Sequence, residues 1–471
     1  MAETGEGSNT SASVAKCKLL NGWRWGGLLA LYVAFGVLVL MQAFTYPFAD
    51  QNTELYDNYF ISRGLVPYID FFEHHPLFQN ILLSPIFLLT DGSTSVLIGY
   101  ELLAIAGVFF CAWLVFKIAV KNGLKNPHAA SLLFLAGYTS LTVAFLRYEF
   151  WSMLFLLAFF AVSHRFWKGV FIVFLGATSP IVIFSAGAMG AVYAMSMLRK
   201  NKREFLWLCL GGIVAFVAWR LLHHNISFAS MYYAIFTFNN LVGNLPGYAL
   251  SWQEVTFFTL FIVIPIILMS IPILWKEWIK KNETAVLTTV FSLVFVLQII
   301  AMNIVYGVFT RIKLPAPLPL IALLIVFAAG YGKKVVSLMV IGEFLLILLA
   351  FTPSFSFPQL EVVHAGQALD SCVAENASML LLPDPHTNNI QVPLFRKPAE
   401  YYWTMQSFVI AAGIPYERPT GIDPISVCIN RIEREDWICS AQELDEIRKM
   451  CEQIQPSKTI WMRVREWRAS L

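Results

Sequence analysis

Lys168-Gly169-Val170-Phe171-Ile172-Val173-Phe174-Leu175-Gly176-Ala177-Thr178, running on to Ala191-Val192-Tyr193-Ala194-Met195-Ser196-Met197-Leu198-Arg199, decides how this chain folds. One long helix here reverses the topology of everything after it; two short helices do not. A helix needs about 20 residues to cross the hydrocarbon of a bilayer, so the stretch is barely long enough for two. Charge resolves the choice. With two helices, Lys16, Lys18, Arg24, Lys117, Lys121, Lys125, Arg165, Lys168, Arg199, Lys200, Lys202, Arg203, Lys276, Lys280, Lys281, Lys333 and Lys334 all fall on one side. The opposite loops of the apolar region keep only Arg63, Arg147, Arg220, Arg311 and Lys313. The positive-inside rule then makes the first side cytoplasmic. One long helix would divide the clusters after Lys200 between the two faces.

The chain is 58% hydrophobic and 13% charged over 471 residues, which excludes an ordinary soluble domain. Apolar segments recur near 26–46, 94–116, 129–146, 150–164, 169–180, 181–198, 204–222, 252–274, 284–305, 314–331 and 335–352. The expected fold class is therefore an α-helical polytopic membrane protein of about 11 transmembrane helices, with a small outward-facing C-terminal α+β or mixed domain. Residues 1–22 read as a disordered cytoplasmic tail, 23–353 as the membrane domain with long outward loops at 47–93 and 223–251, and 354–471 as the C-terminal domain. Cys372, Cys428, Cys439 and Cys451 all fall in that last part and suit one or two disulfides in an oxidising compartment. Their spacing matches no zinc pattern, and three pairings stay open.

Beside the first apolar segment lies Asp50-Gln51-Asn52-Thr53-Glu54-Leu55-Tyr56-Asp57, followed by Tyr68-Ile69-Asp70-Phe71-Phe72-Glu73-His74-His75-Pro76. Ionisable groups close to lipid are costly and face cavities where they handle a proton, an ion or a substrate. Asp50, Glu54 and Asp57 share one face if helical. A carboxylate there is suited to act as general base on a hydroxyl once burial raises its pKa; the alternative is a solvated cap on the first helix. Oxygen-rich clusters also suit Mg²⁺ or Mn²⁺. Adjacent histidines share no helix face, so a metal site using His74 and His75 requires a bend, which Pro76 can provide. Otherwise the segment is a polar loop at headgroup level.

Arg147-Tyr148-Glu149 sits in a short turn between apolar helices, and an interfacial anchor would look the same. Arg311-Ile312-Lys313 is the basic pair of the outward side and suits a phosphate. No Walker loop, dinucleotide fingerprint or Gly-x-Ser-x-Gly elbow occurs. Acids that activate a nucleophile and bases that hold an anionic leaving group, both beside lipid, fit glycosyl transfer from a polyprenyl-phosphate sugar. In the C-terminal domain, the aromatic run Leu394 to Trp403 suits either a core or a sugar-stacking platform.

Gly64-Leu65-Val66-Pro67-Tyr68-Ile69-Asp70-Phe71-Phe72-Glu73-His74-His75-Pro76-Leu77, with Asp50 ahead of it, resembles the first outward loop of GT-C glycosyltransferases of the protein O-mannosyltransferase and lipid A aminoarabinose transferase type. Arg147-Tyr148-Glu149, Phe236-Thr237-Phe238-Asn239 and Lys313-Leu314-Pro315-Ala316-Pro317 are similar to further segments of that family. The resemblance covers about residues 20–350. It implies an inverting glycosyltransferase with Asp50 and Glu149 as catalytic acids. His75, Arg147, Arg311 and Lys313 would hold the donor phosphate, and Glu54, Asp70, Glu73, His74 and Asn239 would position the sugar or acceptor. Two departures stand out: Gln51 replaces the acid that pairs with Asp50, and His75 stands where relatives carry a lysine. The first argues against a metal-dependent variant. No cofactor is expected, with Mg²⁺ or Mn²⁺ as the disfavoured alternative.

The implied partners are a polyprenyl-phosphate sugar donor, a glycan, lipid or protein acceptor, and membrane lipids, with no nucleic acid. The implied location is a bacterial inner (plasma) membrane, active site and C-terminal domain facing the periplasm or exterior. A polysaccharide polymerase or ligase, or a lipid-linked glycan transporter or flippase, remains the competing reading.

Overall fold

A computed structural model describes residues 26–40, 49–90, 94–124, 127–141, 146–179, 182–238, 241, 282–306, 358–375, 377–381, 394–398, 401, 409, 413–415, 430–432 and 438–453. It is mostly helical. Helix α1 (Gly26–Leu40) precedes α2 (Ala49–Ser62), α3 (Phe78–Leu83) and α4 (Ile86–Thr90). Next come α5 (Val96–Lys121), α6 (Pro127–Leu141), α7 (Tyr148–Ala161), α8 (Arg165–Thr178), α9 (Ile183–Lys200) and α10 (Lys202–Leu222). After α10, α11 (Phe228–Tyr232) runs into a wide π-type turn (Tyr233–Phe238), and α12 (Glu283–Tyr306) follows later. The expected segments at 252–274, 314–331 and 335–352, and the tail 1–22, lie outside the described residues.

Every expected apolar segment that falls on described residues is a helix, with ends shifted by a few positions. Two of them, α5 and α10, are long and apolar enough to cross a membrane. The stretch between Lys168 and Arg199 is two helices, parted where Ser179 takes an extended backbone. The next reversal is a single residue, Asn201, whose side chain accepts from the N–H groups of Arg203 (3.0 Å) and Glu204 (3.4 Å) and so caps α10. α8 and α10 then meet backbone to backbone. A Cβ on Gly211 would run into the Phe166 carbonyl, and one on Gly169 into that of Leu208.

Two polar layers bracket the helices. At one, Lys121 Nζ donates to the carbonyls of Phe160 (3.0 Å) and Val162 (3.1 Å), closing the end of α7. Arg165 pairs with Glu204 at 2.8 Å, Glu283 approaches Lys168 at 3.8 Å, and Asn282 donates to Asn122 at 3.0 Å. These turns are the ones expected from their positive charge to face the cytoplasm. The start of α7, about 20 Å away at 1.5 Å per residue, belongs to the other layer. Between the layers, the outward faces of α5, α9 and α10 expose Leu102, Phe110, Trp113, Phe184, Leu206, Ile213 and Phe216.

The described part of the C-terminal region pairs α13 (Pro358–Cys372) with α14 (Ala441–Gln453) beside three short strands, β1 (Ser378–Leu381), β2 (Lys397–Pro398) and β3 (Asn430–Ile432). β1 is central, parallel to β2 and antiparallel to β3. Of the possible pairings, a disulfide joins Cys372 to Cys439; Cys428 and the side chain of Cys451 lie outside the described residues. The aromatic run at Leu394 starts as core rather than as a platform. Phe395 is buried with ring centroids 5.3 Å from Tyr56, 5.4 Å from Tyr59 and 4.9 Å from Phe87. Arg396 anchors it by bonding Asp370 Oδ1 (2.7 Å) and the carbonyls of Val373 and Ala374 (both 2.8 Å).

Candidate active site

Helix α2 carries Glu54 and Asp57 three residues apart, hence on one face, and both are buried. Asp50 lies on the same helix, and by periodicity on the same face; its side chain is outside the described residues. Arg311, Lys313 and Asn239 also lie outside them. The expected single constellation is therefore described only in its first-loop and α7 halves.

Those halves do meet. Arg147, buried just before α7, places Nε 3.6 Å from Glu54 Oε1 and 3.5 Å from Glu149 Oε2. Its guanidinium carbon stands 5.1 Å from the Tyr148 ring centroid. Tyr148 in turn stacks on His75, ring centroids 5.1 Å apart. Arg147 is thus no solvent-facing anchor: it bridges carboxylates from two distant segments.

The loop after α2 bends tightly enough to turn Glu73 back on its own successors. Glu73 Oε1 accepts from the N–H groups of His74 (2.8 Å) and His75 (2.9 Å) and lies 2.6 Å from His75 Nδ1. Burial alone would raise Glu73; the charges of His75 and His74 and their hydrogen bonds outweigh it and hold the carboxyl well below its ordinary value. Asp57 behaves oppositely. Burial, then the Glu73 charge and a hydrogen bond to Glu73, then the Glu54 charge, push it well above the ordinary range. The pair is thus pushed apart, Glu73 toward the ionised form and Asp57 toward the protonated one.

Burial first, then His74, lowers the His75 pKa, whereas Arg147 carries its charge at any pH. Asp70 is not drawn into the cluster. It is exposed, and its Oδ2 accepts from the Val66 N–H at 2.6 Å, closing the turn that begins the loop.

Asp57 and Tyr68 belong to the site although neither was among the expected site residues. Asp57 was visible in the acidic spacing. Tyr68 gave no signal beyond its place in the motif, yet it is buried with φ +62°, a conformation uncommon for a tyrosine. Its hydroxyl donates to the His75 carbonyl at 2.6 Å, and Tyr401 from the C-terminal region donates to the Tyr68 carbonyl at 3.1 Å. The Phe72 N–H is taken up by the Tyr401 carbonyl at 2.7 Å. Strained residues of this kind persist where surrounding contacts over-determine them.

No protein-family model, curated protein or solved structure matches the chain.

Proposed function

We propose that the chain is a GT-C-like inverting glycosyltransferase that moves a sugar from a polyprenyl phosphate to an acceptor hydroxyl at the outer face of a membrane. The observation that carries this reading is the convergence of Glu54 and Glu149 on Arg147, with the buried pair Asp57 and Glu73 beside Glu54, at one end of an apolar helical body. The opposite end holds the basic turns, which supports an orientation with the acids outward. The exposed apolar faces of α5, α9 and α10 support lipid around the body and the full set of about 11 spans. The Cys372–Cys439 disulfide supports an oxidising compartment, such as the periplasm, for the C-terminal domain.

In this mechanism Asp50 takes the proton from the acceptor hydroxyl as its oxygen attacks the anomeric carbon. The carbon–oxygen bond to the phosphate breaks on the opposite face, and the phosphate keeps the electron pair. Glu149, held by Arg147, positions the acceptor; Arg147, Arg311 and Lys313 receive the growing negative charge.

The test supplies the purified chain with a panel of polyprenyl-phosphate sugars and measures free polyprenyl phosphate. Release is expected, with Asp50→Asn slower by on the order of 100-fold. No release across the panel, or undiminished release by Asp50→Asn, rejects the reading; a ladder of products would assign a polymerase instead.

A further inference from the structure

The chain brings two adjacent histidines and the glutamate before them to one point, which regular secondary structure does not do. We propose that Glu73, His74 and His75 form a binding site for a divalent metal ion of the zinc type.

One carboxylate oxygen and two imidazole nitrogens lie within 4.8 Å of one another. Glu73 Oε1 is 2.6 Å from His75 Nδ1 and 3.2 Å from His74 Nδ1, and the two rings stand 3.7 Å apart at their centroids. Two imidazoles and a carboxylate are a donor set zinc accepts, with a fourth position left for water or an anionic oxygen. Nitrogen donors argue against Mg²⁺, which takes oxygen ligands and holds its waters. The loop is also pre-arranged, since Tyr68 pins the His75 carbonyl and Tyr148 backs the His75 ring.

A second observation points the same way. Asp57 and Glu73 are each about 1% exposed, and neither Asp57 oxygen meets a hydrogen-bond donor among the described residues. Glu73 Oε2 is buried and meets none either. Buried carboxylates need compensating charge. A divalent ion beside Glu73 supplies it. The site shares Glu73 with the residues of the transferase reading but is tested without turnover.

Full-length protein in detergent is stripped with chelator, dialysed and titrated with zinc chloride, with bound metal measured by mass spectrometry. One zinc per chain is expected, undisplaced by millimolar magnesium. His74→Ala and His75→Ala should each weaken binding by at least about 10-fold, the loss that even outer-shell changes cause. His164→Ala, at the far end of the molecule, should bind as the parent does. Wild-type protein loaded with Co²⁺ gives a reading that no variant can confuse, because low-coordinate nitrogen and oxygen ligation absorbs more strongly in the visible than the hexa-aqua ion. Absence of zinc in the wild type, parent-like binding by both histidine variants, or a purely aqua-ion cobalt spectrum each overturns the site.

Discussion

The main-chain N–H of Leu394 donates to the hydroxyl of Tyr56 at 2.6 Å, joining positions 338 residues apart. Tyr56 sits between Glu54 and Asp57 on α2, so the C-terminal segment braces the helix that presents the acids. Tyr401 does the same for the loop through Tyr68 and Phe72. The described part of the C-terminal region thus acts as a strut of the acidic site.

Tyr56→Phe removes that acceptor and strands a buried N–H, a change expected to cost about 1–3 kcal/mol. Limited proteolysis should cut the variant more quickly on either side of Leu394. An unchanged cleavage rate would show that the strut does not depend on this bond.

Arg147→Ala leaves Glu54 and Glu149 buried beside no cation from α7, and such one-sided breaks cost about 3–5 kcal/mol. Arg147→Lys keeps the charge but cannot spread it along the two carboxylates and the Tyr148 face at once. Thermal unfolding should therefore rank the parent above Lys and Lys above Ala. Equal midpoints for Lys and Ala would show that charge at this position contributes nothing.

Folded Asp57 holds its proton to higher pH than an unfolded aspartate does. From the ordinary aspartate range up to that raised value the folded chain binds more protons than the unfolded one, so stability falls as pH rises. Glu73 acts lower down and with the opposite sign: its contribution is present above the ordinary glutamate value and is lost as pH falls through the depressed one. In chelator-treated protein, unfolding measured from pH 5 to 8 should lose at most about 1.4 kcal/mol per unit from the Asp57 group. Asp57→Asn should flatten that slope. Parallel parent and variant curves would refute the assignment.

Gly211→Ala drives a methyl into the Phe166 carbonyl, which no rotamer relieves. Overpacking of this kind costs about 1–3 kcal/mol. Gly187→Ala on α9 meets nothing within 4 Å and serves as the matched control, neutral or slightly stabilising. The two should differ in yield of monodisperse protein; matching yields would dissolve the close contact.

Much of the helical body was legible because its signals are local. The division between Lys168 and Arg199 followed from charge, and Asn201 shows how little chain the next reversal needs. The acids of the first loop announced themselves by cost alone. What escaped depended on distant partners. Aspartates are common both in sites and in turns, so nothing nearby told Asp70, which closes a turn, from Asp57, which is buried. The run from Leu394 reads alike as core or platform until Tyr56 is known to face it. Tyr68 holds its uncommon backbone through Tyr401 and the His75 carbonyl, and no residue beside it forecasts that.

The glycine contact between α8 and α10 also restricts how the molecule moves. With carbonyls seated against Gly169 and Gly211, neither helix can slip by a turn without thrusting a side chain into its neighbour's main chain. The two therefore behave as a single beam. Flexing of the helical body is left to the joints on either side, such as the extended residue Ser179, and not to the beam itself.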